Sequence, residues 1–317
     1  MKKTAVLVML LILALTALAC GNQPEGLILA TGDETGNYYS YGNLLAQKVN
    51  SSTTTFVAVV ASEGSRDNIL SLTRGEAQLA FTQCDAMIAA RNGTDSFRVN
   101  GPNKSFSVVA ALYPEAVHIV TLDPEITSVE DLRGKRVSVG PAGSGGYLNA
   151  VDVLGAYGMT ENDIVPYHYT YSDSANALLG GWLDAAFITA GAPVTTVMAV
   201  AQEKPVYLVG LDEEHIRTVM AGKECYDRAV IGADVYGTPS DCVTVAVTAL
   251  LIADNDVSDD EVYDFVRGIY DNAESLENES RFAEYLSLPL AASFSGIPYH
   301  PGAARYYSER GVSVPTA

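Results

Sequence analysis

Three glycine-punctuated corners hold most of the residues in this chain that could do chemistry, and each lies where an apolar strand turns into a helix. The first is Thr31-Gly32-Asp33-Glu34-Thr35-Gly36-Asn37-Tyr38-Tyr39-Ser40-Tyr41-Gly42. The second is Ala61-Ser62-Glu63-Gly64-Ser65-Arg66-Asp67-Asn68, and the third is Val139-Gly140-Pro141-Ala142-Gly143-Ser144-Gly145-Gly146-Tyr147. Glycine allows close backbone approach to a small molecule. A helix start adds unpaired N–H groups and the positive end of the helix dipole. Together they suit noncovalent capture of a small carboxylate. Ser65, Asn68 and Ser144 offer polar partners, and Tyr38, Tyr39 and Tyr41 offer ring surface. Two further strand ends, Thr82-Gln83-Cys84-Asp85 and Thr189-Ala190-Gly191-Ala192-Pro193, are placed to face the same cleft.

Signals for covalent or metal chemistry are weak. There is no GxxxxGK[ST] or GxGxxG loop, and Ala142 breaks a GxSxG nucleophile elbow around Ser144. His118, His168, His215 and His300 show no metal-ligand spacing, and His118 sits in an apolar run that reads as structural. Asp259-Asp260-Glu261 reads as a favourable first helical turn. The expectation is a binding protein with no catalytic residue, no cofactor and no metal. The formal charge of −19, or −21 without Lys2 and Lys3, argues against a nucleic-acid partner.

The elements that must position these corners alternate between strand and helix, which predicts an α/β fold with a mainly parallel sheet. Strands are expected over 27–31, 55–60, 77–82, 106–113, 117–122, 136–140, 185–190 and 244–253. Helices are expected after Tyr41, from Ser65, over 144–157, 175–180 and 195–202, and from Ser258 through about 277. Phe106–Tyr113 and Thr244–Ala253 read as two crossings between α/β units. They divide the chain into a discontinuous lobe I, residues 27–113 and 243–317, and a lobe II, residues 114–242, with the cleft between them.

Residues 1–19 form an export signal: Lys2-Lys3, then an apolar run from Ala5 to Ala19 that is short for a membrane span. Cys20 directly after Ala19 matches a lipobox, so Cys20 is the expected lipidation site and residues 20–26 a tether. Cys84 reads as a buried thiol. Cys225 and Cys242 are a candidate disulfide in an oxidising compartment, which would close a loop of about 18 residues and contribute roughly 3 kcal/mol.

Five segments, 31–42, 61–85, 112–120, 128–145 and 183–194, occur in order and at suitable separations, and they resemble the TAXI-type solute receptors of TRAP transporters. The resemblance implies a type II periplasmic-binding-protein fold, two α/β lobes joined by hinge strands. It implies a periplasmic, lipid-anchored monomer that captures an organic acid or amino acid, glutamate-like or a dicarboxylate, and delivers it to TRAP membrane subunits. Carried over by motif, the ligand contacts are Gly36, Tyr38, Tyr39, Ser65, Asn68, Gln83, Gly143, Ser144, Gly145, Ala190 and Gly191. Asp33-Glu34 stand where the family usually has small residues, and Arg66 where an apolar one is commoner. Two extra acids weaken binding of a simple anion or select a ligand with an ammonium group. The alternatives are a receptor for an ABC importer, a chemosensory lipoprotein, or an enzyme of the same bilobed architecture.

Overall fold

The computed structural model describes residues 26–316, so the leader and Cys20 lie outside the described residues. The elements in chain order are β1 (Leu27–Ala30), α1 (Asn37–Ser52), β2 (Val57–Val60), α2 (Ser65–Thr73), β3 (Leu79–Gln83), α3 (Cys84–Asn92) and β4 (Phe106–Thr121). There follow β5 (Arg136–Ser138), α4 (Gly145–Ala156), β6 (Val165–Tyr167), α5 (Tyr171–Leu179), β7 (Ala185–Ala190), α6 (Thr195–Glu203), β8 (Tyr207–Leu208), α7 (Glu213–Met220), β9 (Tyr226–Ile231), α8 (Ala233–Tyr236), β10 (Cys242–Asp254) and α9 (Asp259–Tyr270), ahead of short C-terminal helices.

One curled sheet runs in the order β2-β1-β3-β10-β4-β7-β5-β6, with β9 on β10 and β8 on β4. Its spine is the antiparallel pair β4 and β10, 16 and 13 residues long. At one end, residues 249–253 of β10 take β3 as partner, and β1 and β2 continue in parallel. At the other end, residues 116–121 of β4 take β7, and β5 and β6 continue in parallel. Each end is a short parallel sheet with helical crossovers, but the expected mainly parallel sheet is corrected: five of the nine strand pairings among the described residues are antiparallel, because β4 and β10 run back and forth between the two ends. Strands buried on both faces need apolar runs, and β4 is buried throughout except at Pro114.

Two further sequence expectations change. The segments 106–113 and 117–122 are one continuous strand that passes through Pro114. Proline cannot donate to a ladder, and the register against β10 shifts between Thr248, opposite Pro114, and Leu250. That irregularity is how the strand accommodates it. The helix from Ser258, with its capping box, ends at Tyr270, and Ala273–Glu277 is a separate turn of helix.

The candidate disulfide is also corrected: Cys225 and Cys242 are free and buried. In the β9–β10 ladder Cys242 faces Ile231, while Tyr226, next to Cys225, faces Val247. The two cysteines thus mark opposite ends of the β9–β10 pair, six residues apart along the ladder or about 20 Å at 3.4 Å per residue, against the 7 Å limit for a bridge. Cys84 is buried as expected, with its thiol 3.6 Å from the Cys225 carbonyl oxygen. Non-reducing digestion of the purified protein is expected to yield no Cys225–Cys242 cross-linked peptide. Its recovery would overturn this register.

His118 is structural, as expected. Its Nε2 pairs with the Tyr236 hydroxyl at 3.0 Å, and burial pushes its pKa down to about 4.

Candidate functional site

The three glycine corners meet. Gly36, Tyr38, Ser65, Gln83, Ser144, Gly145 and Ala190 line one cavity between the two ends of the sheet, with Gly32, Asp33, Asn37, Glu115, Tyr171 and Thr189 among their neighbours. The cavity encloses about 590 Å3, its mouth included.

The local sequence explains why the helix starts face it with free amides. α1 begins after Gly36 and α2 after Gly64, and neither glycine has a side chain to cap the first N–H groups. Gly64 sits at φ +100°, a conformation that L side chains rarely adopt. Orphan helix donors that no side chain satisfies are available to a ligand. α4 differs, because the Ser144 hydroxyl accepts from Tyr147 N at 3.2 Å. The Ser65 hydroxyl accepts from Gln83 N at 3.0 Å, which leaves its own proton to donate.

Two buried polar atoms in the cavity wall have no protein partner: the acceptor Gln83 Oε1 and the hydroxyl Thr189 Oγ1, which can donate or accept, each in a residue 3 % exposed. Buried polar atoms are nearly always paired, so a wall with two of them is built for a polar guest.

The halves touch across the cavity. Asn37 Nδ2 donates to Gly191 O at 2.5 Å, and the Ser172 hydroxyl donates to Asp33 Oδ1 at 3.1 Å. Gly145 packs so tightly that a Cβ there would lie 1.9 Å from Gln83 Oε1 and 2.9 Å from Ser65 Oγ. Behind the cavity, Asn149 Nδ2 donates to Asp85 Oδ2 and to the Tyr226 hydroxyl, both at 2.7 Å.

Four residues carried over by motif are not on the cavity wall. Asn68 is fully buried and donates to Thr31 O at 2.5 Å and Phe81 O at 2.7 Å, tying the ends of β1 and β3 together. Tyr39 lies outside the lining. Gly143 packs on the stem of Arg66, whose Nε donates to Ser96 O at 3.1 Å. Gly191 lies against the Phe282 and Tyr113 rings and takes part through its carbonyl. Tyr41 is buried among Phe81, Tyr113 and Phe282.

Sequence reasoning missed Glu115, Asn37, Thr170 and Tyr171. Glu115 had a legible signal: it is the only charged residue in the run from Phe106 to Leu122, apart from the ionisable His118. Such an acid in a doubly buried strand is rare unless paired. It is 2 % exposed and accepts from the Tyr38 hydroxyl at 2.8 Å. Burial pushes its pKa up to about 8, against hydrogen bonds from Tyr38 and Gln83 that pull it down. Asp33 behaves oppositely. Burial works to raise its pKa, but hydrogen bonds from Thr35, Ser172 and Thr170 outweigh it and hold the carboxyl below its ordinary value. The Tyr171 hydroxyl donates to Thr189 O at 2.7 Å, which sets one ring in the wall. No Lys, Arg, His or Cys lines the cavity. Among the described residues, no cluster of His, Cys, Asp or Glu could hold a metal ion, and no helix is long and apolar enough to cross a membrane.

Solved structures share this architecture. The alkanesulfonate-binding protein SsuA from Xanthomonas axonopodis pv. citri, bound to MOPS, aligns with a TM-score of 0.52 at 16 % identity, over 91 % of this chain and 85 % of that one. A protein of Bordetella bronchiseptica RB50 aligns with a TM-score of 0.52 at 13 % identity, over 89 % and 88 %. A structure described as a periplasmic transporter aligns with a TM-score of 0.52 at 15 % identity, over 80 % and 85 %. At these identities the likeness is one of fold, and the fold is the periplasmic-binding-protein type. The NMT1-like family matches residues 29–311, both halves of the sheet and every corner of the cavity, and the chain belongs to that family.

Proposed function

We propose that this protein is an extracytoplasmic solute receptor that closes two lobes around a small molecule and presents it to a membrane transporter. The observation that carries the reading is the convergence of uncapped helix starts from one half and the Ser144–Gly146 turn from the other on a single cavity. Lobe I is residues 27–113 with 243–317, and lobe II is residues 114–242, with β4 and β10 as the two hinge strands. Ligand that bridges both lobes favours the closed arrangement by its differential affinity. The amide-lined turns suit a carboxylate head, each helix start contributing about 0.3–1 kcal/mol beyond hydrogen bonds. The leader and Cys20 support export and lipid anchoring. The loop motifs support delivery to sodium-driven TRAP subunits, with an ATP-driven ABC importer as the second partner class for the same fold.

Native mass spectrometry of the freshly purified protein is expected to show a retained small acid-bearing solute. Adding that solute back to stripped protein is expected to raise the unfolding midpoint by several degrees. Ser65→Ala is expected to weaken binding about tenfold by removing one buried donor. If no solute is retained and no organic acid, amino acid or sulfonate shifts the midpoint, the receptor reading fails. Pull-down with TRAP or ABC membrane subunits separates the two partner classes.

A further inference from the structure

We propose that Cys84 and Cys225 are a dithiol pair that a disulfide oxidant joins into a bridge, tying the end of β3 to the start of β9 across the middle of the sheet. The inference goes beyond the receptor reading, which supplies only the oxidising compartment.

The topology brings the two cysteines together. Residues 249–253 of β10 pair with β3 and residues 242–247 with β9, while β4 occupies the opposite edge. β3 and β9 therefore share one edge of β10. Both run antiparallel to it, so they follow one another end to end along that edge. Gln83 faces Ala249 and Tyr226 faces Val247. Cys84 comes directly after Gln83 and Cys225 directly before Tyr226, so both lie at the rung of Thr248, between the two strands. Gln83 and Tyr226 are two rungs apart, about 7 Å at 3.4 Å per rung, and the cysteines turn toward the gap. A bridge needs Cα atoms within about 7 Å, which the long Cys225–Cys242 span exceeds and adjoining strand ends satisfy. The contact is made: the Cys84 Sγ lies 3.6 Å from the Cys225 carbonyl oxygen, and the Cys84 thiol also hydrogen-bonds the Cys225 side chain.

Cys225 is the first nucleophile. It is 7 % exposed against 1 % for Cys84, and burial pushes the Cys84 thiol well up, which leaves it little thiolate. The Cys225 thiolate attacks one sulfur of the oxidant, whose S–S bond breaks, and the departing thiolate takes up a proton. Cys84 then loses its proton and attacks the Cys225 sulfur of the mixed disulfide, expelling the second thiol. Two protein thiols become one disulfide, and the oxidant gains two electrons and two protons as it becomes two thiols. Because both cysteines are buried, the exchange is slow in the assembled protein and fast while the chain folds. The cysteines stand 141 residues apart in the chain, and closing so long a loop restricts the unfolded state strongly.

Peptide mapping of the full mature chain tests this. The protein is unfolded in urea with reductant, refolded in a buffer of oxidised and reduced glutathione, alkylated, and digested with trypsin without reduction. The expected product joins residues 75–91 to residues 224–228, lighter than the two peptides together by two hydrogens, with Cys242 alkylated. The oxidised protein is expected to unfold about 5 °C or more above the same sample treated with dithiothreitol. Cys242→Ser keeps the cross-link and the shift, and Cys225→Ser abolishes both. The wild-type map needs no substitution, so a variant that fails to fold does not remove the test. Separate alkylation of Cys84 and Cys225 after refolding overturns the proposal. So does a cross-link to Cys242 in place of theirs, or a midpoint lowered by oxidation, because a strained bridge means that the strand ends do not meet. Solute retention is read separately on the same sample. A cross-link without retained solute counts against the receptor reading alone, and separate alkylation in a protein that keeps its solute counts against the bridge alone.

Discussion

Glu115→Gln is expected to stabilise the unliganded protein at pH 8 by about 3–5 kcal/mol and to change it by less than about 1 kcal/mol at pH 5, read from urea unfolding at the two pH values. Folding raises the Glu115 pKa from an ordinary 4.5 to about 8, mainly through burial. Between those values the folded state keeps a proton that the unfolded chain has released, so stability falls as pH rises. The contribution is fully present below about 4.5 and gone once pH passes about 8. Glutamine keeps the shape and an acceptor for the Tyr38 hydroxyl but has no proton to lose. Asp85, raised by burial to about 7, leaves a residual slope in the variant over a lower window, from its ordinary 3.8 upward. Parallel stability–pH curves for the two proteins would show that Glu115 is ionised in the folded state at neutral pH.

Gly145→Ala is expected to lower solute affinity at least a hundredfold, about 3 kcal/mol, with the unfolding free energy unchanged to within about 1 kcal/mol. The new methyl would lie 1.9 Å from Gln83 Oε1 and 2.9 Å from Ser65 Oγ, across the line where the lobes meet. Ser65 is pinned by Gln83 N. Either the lobes stay apart, or the Gln83 amide swings into the space a ligand needs. Gly145 is not in the left-handed region, so alanine adds no backbone strain, and alanine favours the helix. The defect is therefore in closure, not folding. Calorimetry gives the affinity, and small-angle scattering with ligand is expected to show a larger radius for the variant. Wild-type affinity in Gly145→Ala would mean that the two lobes do not meet at this glycine in the bound state.

Much of the fold was legible because its signals are local. Apolar runs bounded by glycine marked the parallel strands, and Ser258 with Glu261 formed the expected capping box. The corners were legible because glycine before a helix has few other uses. The expected break at Pro114 was wrong, because tolerance for a proline depends on the partner strand, and the shift near Thr248 is invisible in residues 106–122. Cys225 and Cys242 paired on paper for the same reason: close sequence spacing says little about the span of a hairpin. Asn68 shows a different limit. Its amide could have served a ligand or the backbone, and only the three-dimensional positions of Thr31 O and Phe81 O decide which. Glu115 was overlooked although its apolar surroundings made it conspicuous.

The irregular rung at Pro114 has a mechanical consequence. In the proposed two-lobe reading β4 and β10 are the connecting strands, and β4 lacks an N–H at Pro114, the residue before Glu115. A ribbon already missing a rung pivots there without stripping a paired amide, so bending is cheapest where the strand meets the guest. In that reading a solute seated at Glu115 would touch the joint itself, so that capture and motion would share one spot on one strand.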